Sequence, residues 1–197
     1  DKIPMIIFSN IKSILLIIFF GLITSCSSNQ SMKPQDFKDK KPRLVIEEYL
    51  SGNVKAWGIL QNRSGKVTRQ FSATLNGNWD GKKLILDEKF NWDDGEVQDR
   101  QWHITKLDEH NYEGTASDVV GKAKGYSYGP AFKFEYVLLV PVKGKEIKIT
   151  FDDWIFMQDE KVAINRAKMT KFGFKVAELT VFSVSYTHLT LPTTLTV

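Results

Sequence analysis

Asp152 and Asp153 stand side by side in the chain, and neighbouring carboxylates can split their pKa values and divide acid from base work. Both fall in a segment with strand alternation, where successive side chains face opposite sides of a sheet, so the two are expected not to meet. One then points to solvent, and the other caps a turn or pairs with an arginine. Arg63, Arg69 and Arg100 are the cations to set against them. Arg69 shares its alternating face with Phe71 and Leu75, and Arg100 shares parity with Trp102 and Ile104. A guanidinium among apolar neighbours must find a partner, because an unpaired buried charge is too costly to keep. Two partners satisfy this. One is internal, an ion-pair network with Asp87, Glu88, Asp118 or Asp152. The other is the carboxylate or phosphate of an amphipathic ligand, gripped bidentately while its tail lies against aromatic side chains such as Trp79, Trp102, Tyr136 and Trp154.

Other chemistries fail on residue type or spacing. His103 and His110 have no cysteine to join them, short of the three or four ligands of a zinc site. No phosphate loop or dinucleotide fingerprint occurs. Gly121-Lys122-Ala123-Lys124-Gly125 lacks the spacing of a phosphate cradle and reads as a bend between strands. Asp93-Asp94-Gly95 reads as a turn. No metal and no cofactor is expected. The net charge is +4, with basic residues scattered among acidic ones, so no nucleic-acid partner is expected either.

Cys26 is the one cysteine, and its position points to lipidation. Lys12, the apolar run Ile14 to Phe20 and then Gly21-Leu22-Ile23-Thr24-Ser25 precede it. A basic start, a short apolar stretch and small residues make a secretory signal, and the run is about half the ~20 residues of a membrane span. Ile23-Thr24-Ser25-Cys26 resembles a lipobox, whose cysteine takes the acyl chains and becomes the new N-terminus. Ser27 and Ser28 follow with no acidic residue, which resembles the pattern sent to the outer membrane. The partner implied is a membrane, reached through the N-terminal lipid anchor, and the expected location is the cell envelope, at the outer membrane and facing the periplasm.

These residues must be positioned by what lies between. Residues 1–25 read as signal peptide, with a true start at Met5, and residues 26–41 as a flexible tether rich in Ser, Lys, Asp and Pro. Residues 42–183 read as one domain of strands. Val67 to Leu75 alternate with period two, Asp80-Gly81 turns the chain, and Leu84 to Trp92 follow before a second turn at Asp94-Gly95. Val97 to Lys106, Asn111 to Ala116 and Phe132 to Val140 continue, then a turn at Lys143-Gly144, a strand from Ile147 and a last one over Lys171 to Phe182. Leu44 to Leu50 is a short helix before Gly52. Eight to ten short strands with no helical crossover predict a mainly β fold, an antiparallel up-and-down β-barrel with a short N-terminal helix. Residues 184–197 begin Val184-Ser185-Tyr186-Thr187-His188-Leu189, resemble the translation of a sequencing adaptor, and are expected to be a non-native tail.

A family likeness runs through the same region. Ala56-Trp57-Gly58, Gln61-Asn62-Arg63-Ser64-Gly65, Gly77-Asn78-Trp79-Asp80-Gly81, Asp118-Val119-Val120-Gly121, Phe151-Asp152-Asp153-Trp154 and Lys171-Phe172-Gly173, in this order, resemble the domain of unknown function 3833 family of bacterial lipoproteins. The likeness covers most of Leu44 to Phe182 and departs at Gly129-Pro130-Ala131, where relatives carry Gly-Asn-Ala. It implies a lipocalin- or calycin-like barrel, and the genes near family members lean any ligand toward acyl chains.

Three functions stand open on this reading. The first is a lipid-anchored envelope protein whose barrel binds a fatty-acyl or other apolar ligand through Arg63, Arg69, Arg100, Trp79, Trp102, Tyr136 and Trp154. The second is a structural or interaction module with a filled barrel, and the third an enzyme using Asp152 or Asp153. Ligand identity, oligomeric state and the openness of the interior are not set by the sequence.

Overall fold

Glycines at positive φ mark the chain reversals that the sequence places, at Gly81, Gly95 and Gly144, and at five other positions. Between them, in a computed structural model that describes residues 31–142 and 144–186, run ten antiparallel strands. They are β1 (Gly52–Asn62), β2 (Val67–Trp79), β3 (Lys83–Trp92), β4 (Val97–Lys106), β5 (Asn111–Thr115), β6 (Ala123–Tyr128), β7 (Ala131–Val142), β8 (Lys145–Met157), β9 (Val162–Lys171) and β10 (Phe174–Ser185). Each pairs with its neighbours in sequence, and β1 pairs with β10, so the sheet closes on itself. Closure leaves no edge strand to recruit another chain. The up-and-down barrel with a short N-terminal helix is therefore the architecture found. The described residues from Lys33 to Tyr186 belong to one compact unit.

The two ends of the barrel differ. Ahead of β1, the helix α1 (Ile46–Tyr49) seals one end, with Leu44, Ile46, Tyr49 and Leu50 buried. Gly77 lets it sit close, since a Cβ there would stand 2.0 Å from the Leu50 carbonyl oxygen. Glu47, only 5% exposed, clamps α1 to the wall. It pairs with Lys106 and accepts a hydrogen bond of 2.9 Å from the Tyr112 hydroxyl. Burial pushes its carboxyl up, but the Lys106 and Tyr112 bonds outweigh that and leave it below the usual carboxylate range. The other end carries the β1–β2, β3–β4, β7–β8 and β9–β10 hairpins. Inside, rings lie over glycines. A Cβ on Gly58 would stand 2.3 Å from the Phe71 ring, and one on Gly114 2.5 Å from that of Phe134.

Three boundaries differ from expectation. The segment expected as a flexible tether to residue 41 is docked from Lys33: Pro34–Phe37 is a 3-10 turn, and Phe37 packs on Trp154 and Phe156 at 6.1 and 5.5 Å. Val184 and Ser185, expected in the tail, instead close β10 opposite Lys55 and Val54. Lys171 to Phe182 is not one strand but a hairpin, with Phe172 and Gly173 at its tip and β9 before it. The expected signal peptide and Cys26 lie outside the described residues.

Candidate functional site

Strand parity gathers one buried polar cluster inside the barrel. Glu88 on β3 shares its face with Leu84, Leu86 and Phe90, and lies directly across from Arg100 on β4. The Arg100 Nη1 is 3.7 Å from Glu88 Oε2, too long for a hydrogen bond, and both side chains are 13% exposed. Arg100 instead grips Asp118 of the β5–β6 loop, donating from Nε at 3.0 Å and from Nη2 at 2.8 Å to Oδ2. On the facing wall, Asp153 of β8 accepts from the Tyr136 hydroxyl at 3.0 Å and from the Asn165 amide. Glu88 Oε2 is buried and receives no hydrogen bond.

These environments set protonation. Burial pushes Glu88 up to about 7, against the pull of the Arg100 charge and with the push of Asp153. Burial likewise raises Asp153 to about 6, although Asn165 and Tyr136 draw it down. Burial lowers the Arg100 guanidinium, but Glu88 and Asp118 outweigh it and hold it above its ordinary value. The cluster is thus one firm cation among three carboxyls. It is a poor seat for a second anion.

Beside this cluster lies a cavity of about 150 Å³. Ile46 and Tyr49 of α1 floor it, Ala56 and Ala73 form one wall, and Trp102 and Phe134 the opposite one. Ligand pockets run to ~300–1,000 Å³, so this chamber is small and takes one small apolar group unchanged. Between a filled and an open interior, the described residues leave a small chamber at this point.

The residues expected to grip a ligand separate. Arg100, Trp102 and Tyr136 meet at the cavity. Arg63 does not: it is exposed at the β1–β2 turn. Arg69 has the inward parity but sits at the hairpin end, stacked 4.0 Å over the Trp92 ring and bonded to Asp94 at 2.7 Å and Glu96 at 2.8 Å. Trp79 packs against the core without lining the cavity. Trp154 faces outward and is buried beneath Phe37, its indole N–H donating to Asp152 at 2.9 Å. Asp152 and Asp153 do face opposite sides, so they form no catalytic pair. Sequence reasoning missed Asn165, because its strand went unread, whereas Glu88 and Asp118, named among the internal partners for an arginine, both stand against Arg100.

The family model described as "Protein of unknown function (DUF3833)" matches residues 20–184. No curated protein matches. Among solved structures, the S-type phycobiliprotein lyase CPES from Guillardia theta is similar, with a TM-score of 0.51 at 9% identity, covering 71% of this chain and 89% of that one. At that identity the likeness speaks for the barrel fold alone.

Proposed function

The chain belongs to the DUF3833 family, and from that premise we propose that it is a lipid-anchored envelope protein whose barrel binds a small apolar ligand with a hydrogen-bond-donating end. One observation carries the ligand reading: Glu88, whose Oε2 is buried and without a hydrogen bond, lines a mostly apolar chamber of about 150 Å³. A buried carboxyl oxygen without a donor is costly, and a ligand hydroxyl at that point would remove the cost. A carboxylate head group is disfavoured, because Arg100 is already held by Asp118 and the remaining groups are acids. The ligand class is therefore neutral. The anchor rests on Cys26 behind its signal-like segment, and two or more acyl chains hold a protein stably where one does not.

The test compares 1-hexanol with hexanoate in thermal melts, since a ligand that binds only the folded chain raises the Tm. The alcohol should raise the Tm and the acid should not. Ala73→Leu, which fills the chamber, should remove the response while still melting cooperatively. If neither probe acts, or the filled variant responds as before, the barrel is an interaction module and the binding reading fails.

A further inference from the structure

The hairpin end of the barrel exposes apolar side chains that no packing requirement explains. Phe172 is 88% exposed and Phe174 69%, at the tip of the β9–β10 hairpin, with Val176 beside them. Around the barrel β10 lies between β9 and β1, and β8 on the far side of β9, so the β1–β2 and β7–β8 hairpins flank this tip. They add exposed Val67 and Val142. Large apolar residues grouped on one surface mark an interaction site, where scattered ones do not.

The tip is also held in a costly shape. Phe172 has φ +51, a left-handed conformation that a bulky residue adopts only against its own sterics. Its ring stands in solvent, with the Lys171 ammonium 5.4 Å from the centroid. A glycine or asparagine would relax the backbone at no loss of burial. The aromatic at this position is accounted for by what it meets outside the molecule.

The charge around the tip says what that is. Arg63 and Lys66 stand on one flanking hairpin, Lys145 on the other, and Lys171 and Lys175 on the tip itself. Among the described residues of these three turns Glu146 is the acid, while Glu178, further along β10, is paired with Arg166 and Lys175. Aromatic rings that enter an interface, ringed by cations, complement a membrane surface of anionic headgroups. We propose that the β9–β10 hairpin docks the barrel onto an anionic lipid surface, with Phe172 and Phe174 entering the interface and Lys171 and Lys66 meeting phosphate. The N-terminal turn Pro34–Phe37 lies by the opposite, helix-sealed end, so this contact is distinct from the one a lipid on Cys26 would make. It holds whether or not the chamber takes a ligand.

The test places an environment-sensitive fluorophore at Phe174→Cys in the full chain carrying Cys26→Ser, with Leu107→Cys at the helix-sealed end as the control position. Vesicles of phosphatidylglycerol and phosphatidylcholine should shift the emission at 174 to the blue, and brominated acyl chains should quench it, with neither effect at 107. Phosphatidylcholine alone should give at most a third of that response. Phe172→Asn should cut the response at 174 at least threefold while leaving the Tm unchanged or higher. No shift at 174, equal shifts at 174 and 107, an equal response to neutral vesicles, or an unaltered response in Phe172→Asn would each overturn the proposal. A tip that ignores lipid would belong to a protein partner instead.

Discussion

Arg100 and Glu88 face each other across β3 and β4 at 3.7 Å, equally buried, yet the arginine spends its hydrogen bonds on Asp118. The glutamate is left as a buried acid whose ionisation the folded chain resists. Its value of about 7 lies above the ordinary 4.5, so the folded state holds the proton over a range where the unfolded chain has lost it. Stability from this group is present below pH 4.5 and is lost as pH rises to about 7. Glu88→Gln should therefore be more stable than the wild type at pH 8, by about 3 kcal/mol at ~1.4 kcal/mol per pKa unit. Urea melts of both at pH 4, 6 and 8 check this, and a constant difference across the series would count against it.

Glu47 has the opposite sign. Its folded value is lowered, so its contribution is present above the unfolded 4.5 and disappears as pH falls through the folded value. Glu47→Gln should lose about 3 kcal/mol at pH 7, the low end of the cost of breaking a buried pair, because Lys106 is partly exposed. The deficit should shrink in acid. Hydrogen exchange should find the loss concentrated at α1.

Gly58 is a space requirement of the core. Gly58→Ala puts a Cβ about where the Phe71 ring lies and should cost about 1–3 kcal/mol by overpacking. Phe71→Leu in the same chain should recover part of it. A double-mutant cycle with no coupling would show that the ring moves aside freely.

Arg69→Met should lower the Tm by only a few degrees, since its pairs with Asp94 and Glu96 lie at the partly exposed hairpin end. Alcohol binding should survive. A large loss of the 1-hexanol response would place Arg69 in the binding chamber after all.

Cys26→Ala should abolish incorporation of labelled palmitate and release the protein from membranes during fractionation. Retention at the outer membrane with label still incorporated would refute the lipobox reading.

What the sequence determined by itself is what a strand encodes locally. A period of two residues and glycines at the turns specify antiparallel hairpins, and the same parity sets Asp152 and Asp153 on opposite faces before any fold is known. Parity also sends Arg100, Trp102 and Tyr136 into the interior, where they line the chamber. Depth along the barrel is not local, however. Arg69 has inward parity but stands at the hairpin end, so solvent and two carboxylates satisfy it. Trp154 has outward parity yet is buried, because Phe37, more than a hundred residues away in the chain, comes to cover it. The strand β9 carried almost no signal, since its inward positions include Ala163 and Ala167, both fully buried. Small residues there leave room for the rings of opposite walls, and that need arises only once the sheet has closed.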